Sequence, residues 1–89
     1  MIRPTEVLRA RVRRFVEDEL DVDFDSDNIT DDTDLFAERI VDSLKFVALV
    51  EFSESLAGSP LSLQDLEPAS LATVNRIVGL IERLASEVP

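Results

Sequence analysis

The chain has no histidine and no cysteine, and each absence removes a class of chemistry. A serine nucleophile needs a base to take its proton, usually histidine. Without one, a Ser-His-Asp triad is excluded, and an accessible serine here reads as a group to be modified rather than one that catalyses. Without cysteine, no disulfide frames the fold and no side-chain thiol is available. Long apolar runs are also missing. The longest extends only from Phe46 to Val50, far short of the roughly 20 residues that span a bilayer. The segment Met1-Ile2-Arg3-Pro4-Thr5-Glu6 lacks the apolar core of a signal peptide, so a cytoplasmic protein with no membrane partner is expected.

Basic residues are scarce. Nineteen acidic residues face nine basic ones, a net charge of −10 in 89 residues. Such a surface repels phosphate backbones, which argues against nucleic acid and for basic protein surfaces as partners. The charge is uneven. Residues 1–14 carry Arg3, Arg9, Arg11, Arg13 and Arg14 against Glu6, a local +4 that leaves −14 on the rest. This order opposes the helix macrodipole. Pairs four apart, Arg13 with Glu17 and Arg14 with Asp18, offset a few tenths of a kcal/mol each. The arginines read as a solvated face rather than a partner-binding patch.

What is present is helical periodicity. A length of 89 residues suits one domain, 1–89, expected as a monomer. Leu8, Val12, Phe15, Val16 and Leu20 recur at helical spacing, predicting helix I over about 6–20 with Thr5 as N-cap. Helix II is predicted from Ser43 to about Ala57, closed by Gly58 and Pro60. A short helix III is predicted at about 63–67, with Ser62 and Asp65 as a capping box and Pro68 as its stop. Val74, Ile77, Val78, Ile81, Leu84 and Val88 form the stripe of a last helix capped by Ser70 or Thr73. The fold class is therefore all-α: a four-helix bundle of three longer helices and a short helix III.

Residues 21–41 form a long acidic connection between helices I and II, with Phe24, Ile29, Leu35, Phe36 and Ile40 as apolar anchors. Its Asp21-Val22-Asp23-Phe24-Asp25-Ser26-Asp27 stretch invites a calcium reading across 21–34. An EF-hand loop next needs glycine at its sixth position and glutamate at its twelfth. Ser26 and Asp32 stand there, or Asn28 and Asp34 in the register starting at Asp23, so the match is incomplete.

Helix II places Phe46, Leu49, Val50, Ser53 and Leu56 on one face, the side for the core. Leu44, Val47, Ala48 and Glu51 fall opposite, flanked by Asp42 and Glu54. A surface helix needs only one apolar stripe, so the second reads as a docking surface. Ser43 stands beside it at the helix start, where unpaired N–H groups and the positive end of the dipole favour an attached anion. Asp42 is the natural N-cap.

Ile40-Val41-Asp42-Ser43-Leu44, preceded by Leu35-Phe36 and followed by Phe46-Val47-Ala48-Leu49-Val50-Glu51, resembles the modification site and recognition helix of acyl carrier proteins. The resemblance spans the whole chain and is nearest to small stand-alone carriers: D-alanyl carriers and the discrete carriers of polyketide, nonribosomal peptide and antibiotic biosynthesis. It implies that Ser43 receives 4′-phosphopantetheine from coenzyme A through a separate Mg²⁺-dependent phosphopantetheinyl transferase. The arm's thiol then carries acyl or aminoacyl groups as thioesters, and the protein is not itself an enzyme. Implied partners are an acyltransferase, an adenylating ligase or a ketosynthase, docking on Asp42, Leu44, Val47, Ala48, Glu51 and Glu54 through a basic surface. Many relatives have glycine where this chain has Arg39, so the turn before Ile40 is expected to be built differently. The alternatives are a calcium-binding helical module and a carrier-like adaptor whose serine is never modified.

Overall fold

Three α-helices and one 3₁₀ helix, with no strand, are the regular elements of the described residues, 4–87, of a computed structural model. The α-helices are α1 (Pro4–Glu19), α2 (Ser43–Ala57) and α3 (Val74–Glu87), with the 3₁₀ helix at Pro68–Leu71 between α2 and α3. The α3 helix carries the strongest apolar stripe. Val74, Ile77, Val78, Leu80, Ile81 and Leu84 are all buried, and the helix packs against α1, α2 and the 3₁₀ helix. Thr73 caps it, its Oγ1 accepting the Arg76 N–H at 3.0 Å; Val88 lies outside the described residues.

Helix I differs from expectation at its start. Pro4 and Thr5 are already helical, so Thr5 is not a cap, and its Oγ1 instead donates to Glu82 Oε2 on α3 at 2.6 Å. The arginine face differs too. Arg14 pairs with Asp18 at 3.5 Å as expected, but Arg13 turns away from Glu17. Its guanidinium lies 4.4 Å from the Phe24 ring centre, and its Nε lies 3.3 Å from Asp31. Arg9 reaches the same carboxylate at 3.1 Å and also donates to Asn75 Oδ1. Residues 9 and 13 share a helix face, so two cations clasp one acid of the connection, with Asp31 Oδ1 receiving no hydrogen bond. From α3, Asn75 donates its N–H to the Asp31 carbonyl at 3.0 Å and its Nδ2 to Asp32 Oδ1 at 2.6 Å. Arg9 and Arg13 thus fasten the connection to α1 and α3, while Arg11 and Arg14 stay exposed as the solvated-face reading requires, and Arg3 lies outside the described residues.

The connection itself is two capped helical turns built alike. In the first, Asp23 Oδ1 accepts the N–H groups of Asp25 and Ser26 at 2.9 and 3.0 Å. Its end is a Schellman closure, Ile29 N–H to Phe24 O and Asn28 N–H to Asp25 O, with Asn28 left-handed at φ 59. In the second, Asp34 Oδ1 accepts from Phe36 and Ala37 at 3.0 and 2.9 Å. Ile40 N–H then bonds Leu35 O, and Arg39 N–H bonds Phe36 O, with Arg39 at φ 61. Phe24, Ile29 and Leu35 are buried and Phe36 and Ile40 partly so, as the anchor reading requires. The aspartates serve as caps, and Asp27 Oδ2 likewise accepts the Asp23 N–H at 2.8 Å. Among the described residues no group of three or more acidic side chains converges as a calcium site would need. Asp23→Ala and Asp34→Ala are each expected to cost about 1 kcal/mol in chemical denaturation, and Asp23→Asn only a few tenths, because asparagine caps nearly as well. Added calcium should leave these differences unchanged.

Arg39 corrects the expectation of a rebuilt turn. It adopts the left-handed conformation that suits glycine, on an exposed side chain with no ion pair among the described residues. A non-glycine residue pays for this conformation with about 1–2 kcal/mol of crowding. Arg39→Gly is therefore expected to stabilise the protein by about 1 kcal/mol, offset in part by greater freedom when unfolded, and to raise Tm by roughly 5 °C.

Helix III is the other departure. Residues 63–65 make only a turn, although the Ser62–Asp65 contact forms, Ser62 Oγ donating to Asp65 Oδ2 at 2.8 Å. Pro68 opens the 3₁₀ helix rather than stopping a helix. At a first helical position its missing N–H costs nothing, and its fixed φ suits the turn.

Candidate functional site

The start of α2 is set by Asp42. Its backbone is extended (φ −105, ψ −171), its Oδ1 accepts the Lys45 N–H at 2.9 Å, and its carbonyl accepts the Phe46 N–H at 2.8 Å. The N–H groups of Ser43 and Leu44 consequently point out of the helix without intrahelical partners. Ser43, the first residue of α2, is exposed. Its hydroxyl thus stands at the positive end of a helix of 15 residues, where an attached phosphate group fits.

Beside Ser43 lies a groove of about 350 Å³ lined by Phe36, Val41, Asp42, Ser43, Phe46 and Pro68. Phe36 and Phe46 meet edge to face there, 5.8 Å between centres and 61° between planes. The sequence marked Phe36 as an anchor and Phe46 as a core residue, both within the stretch that carries the family resemblance, but did not pair them. Their juxtaposition with Pro68 depends on tertiary packing and leaves no local signal.

The faces of α2 follow the sequence reading, with exceptions. Leu49 and Ser53 are buried, and Phe46, Val50 and Leu56 are partly buried. Ser53 Oγ donates to the Leu49 carbonyl at 2.8 Å, so its burial leaves no unmet group. Leu44 is 82% and Val47 53% exposed, and Glu51 is exposed beside them. Ala48 is half-buried at the margin of that face. Phe52, on neither stripe, stacks on Phe15 of α1 with centres 4.1 Å apart. Glu54 is half-buried, and its Oε2 accepts the Leu61 N–H at 2.7 Å. It therefore fixes the chain after the Gly58 cap, and a docking contact can draw only on what remains of its charge. Leu63, 87% exposed just beyond α2, adds an apolar residue that periodicity did not single out.

The described residues thus present one serine at the start of an α-helix, on a face of exposed apolar and acidic residues. Comparison with known proteins gives the family. A protein from a Serratia species, named as a probable acyl carrier protein, PigG, is 35% identical over 63 residues, covering 71% of this chain and 72% of that protein. No family model matches, and no solved structure matches. The chain belongs to the acyl carrier protein family. No helix among the described residues is long and apolar enough to cross a membrane.

Proposed function

We propose that this protein is a stand-alone acyl or aminoacyl carrier whose Ser43 bears a 4′-phosphopantetheine arm, serving separate enzymes of polyketide or nonribosomal peptide assembly. The observation that carries the reading is the position of Ser43, exposed at the first residue of α2 beside two unpaired N–H groups, in a chain of this family. When bound, the arm supplies the thiol that the chain lacks. The chain's own part is to hold the phosphodiester and to present the arm. The N–H groups of Ser43 and Leu44 favour the anion, and Asp42 fixes the helix start while binding its own charge to the Lys45 N–H.

Leu44 and Val47 offer partner enzymes an apolar contact next to the attachment point, with Ala48 at its edge. Asp42, Glu51 and the residual charge of Glu54 favour a basic partner surface and speed encounter at low salt. The transferase that installs the arm and the enzymes that load and unload it would share this face. The test is the intact mass of protein isolated from its native host. A mass that exceeds the polypeptide by the arm, with or without an acyl group, is expected; bare polypeptide alone would overturn the reading.

A further inference from the structure

The α1 helix leaves one face outside both the core and the connection. Val12, Val16 and Leu20 are buried and Arg9 and Arg13 turn to Asp31, but Val7, Arg11, Arg14 and Asp18 recur at helical spacing as an exposed stripe. Along its edge the stacked rings of Phe15 and Phe52 are only half-buried, and they floor a groove of about 230 Å³ whose other lining residues are Arg11, Arg14, Asp18 and Glu19. The groove is apolar in its middle, basic toward the start of α1 and acidic toward its end. Arg11 and Glu19 have no ion pair among the described residues. The Arg14–Asp18 pair, 83% and 64% exposed, is worth little in water.

A surface with that order is complementary to itself. Arg11 and Glu19 each stand about 6 Å along the helix axis from Phe15, one before it and one after. Two copies of α1 that cross antiparallel at Phe15 therefore set the basic end of each against the acidic end of the other, and bring each Arg14 to the aromatic rings of the second copy. We infer that the chain forms a weak two-fold dimer through this face of α1, with a second copy as the occupant of the Phe15–Phe52 groove. Because Asp18 and Glu19 line the same groove and the net charge is −10, a phosphate backbone or an anionic lipid surface is repelled, whereas a surface of both signs answers both ends. Two chains of −10 also repel each other. The contact is small as well, so a dissociation constant on the order of 0.1 mM is expected, with monomer when dilute. Nothing in this contact requires an arm on Ser43. Phe52 lies roughly 140° around α2 from Val47, so the dimer leaves the exposed face of α2 open to enzymes.

Sedimentation equilibrium of the full chain from about 10 µM to about 1 mM, in salt near 0.15 M, tests this. The weight-average mass should climb from one chain toward two, and the amide NMR signals that move with concentration should lie in α1 and around Phe52. Arg11→Glu with Arg14→Glu makes the groove acidic throughout, and Asp18→Arg with Glu19→Arg makes it basic throughout. Each pair should weaken self-association at least about tenfold, with native helix content kept because all four side chains are exposed. An equimolar mixture of the two variants should recover a dimer holding one chain of each kind. The swaps move the net charge from −10 to −14 and −6, both still negative, so long-range attraction does not account for that recovery. A monomer mass at every concentration would overturn the inference. So would association that survives both swaps, or that Leu44→Asp alone abolishes, which would place the contact on the face beside Ser43.

Discussion

Ser43→Ala is expected to take up no phosphopantetheine when incubated with coenzyme A, Mg²⁺ and a broad-specificity transferase, while the wild type gains one group by intact mass. The variant should fold normally, because alanine is the best helix former and Ser43 is exposed at the first position of α2. Ser26, Ser55 and Ser62 are also exposed and act as internal controls. None of them opens an α-helix. Labelling of the alanine variant at any of these would show that exposure alone suffices and would remove Ser43 from its proposed role.

The two faces of α2 should respond in opposite ways to substitution. Leu49 is fully buried, and Leu49→Ala is expected to cost about 3 kcal/mol, from lost transfer energy and the cavity left behind. In a domain of this size that lowers Tm by roughly 15 °C. Val47→Asp, at a half-exposed position, should change stability by less than about 1 kcal/mol, part of it like-charge repulsion from Glu51 one turn on. It should nevertheless slow loading by the cognate enzyme at least tenfold, because a carboxylate would replace an apolar contact in the docked complex. Thermal unfolding and loading rate, measured on both variants, decide the matter. An unfolded Val47→Asp beside an intact Leu49→Ala would invert the faces and send the search for the docking surface elsewhere.

Regular periodicity made α2 and α3 legible from sequence: Gly58 and Thr73 mark their limits, and one stripe on each faces inward. Helix III was not legible, because Ser62 and Asp65 make a capping contact whether or not a helix follows, and Pro68 can begin a 3₁₀ helix as readily as end an α-helix. The connection was legible in its anchors but not in its acids. Asp23 and Asp34 read as positions of a candidate calcium loop, and only the spacing of Asn28 and Arg39 behind them could have disclosed caps on short turns. A clearer clue to the clasp stood in α1: arginines four apart, 9 and 13, sharing a face on which one acid could serve both. At the candidate site, Ser43, Asp42 and the exposed Leu44 and Val47 follow from one-dimensional pattern. The groove required Phe36, Phe46 and Pro68 to come together from three segments, which no local pattern records.

The paired turns between α1 and α2 also bear on how fast the chain folds. Each closes with hydrogen bonds that reach back no more than six residues, so most of the connection can organise before any distant segment arrives. Short-range closure of this kind lowers contact order and favours rapid folding. The search that remains is for α1 to find α3 near the other end of the chain. There the oppositely charged Arg9, Arg13 and Asp31, with Asn75 on α3, can act as a latch that prolongs productive encounters. The acidic residues of the connection thus shape the order of assembly as well as its final form.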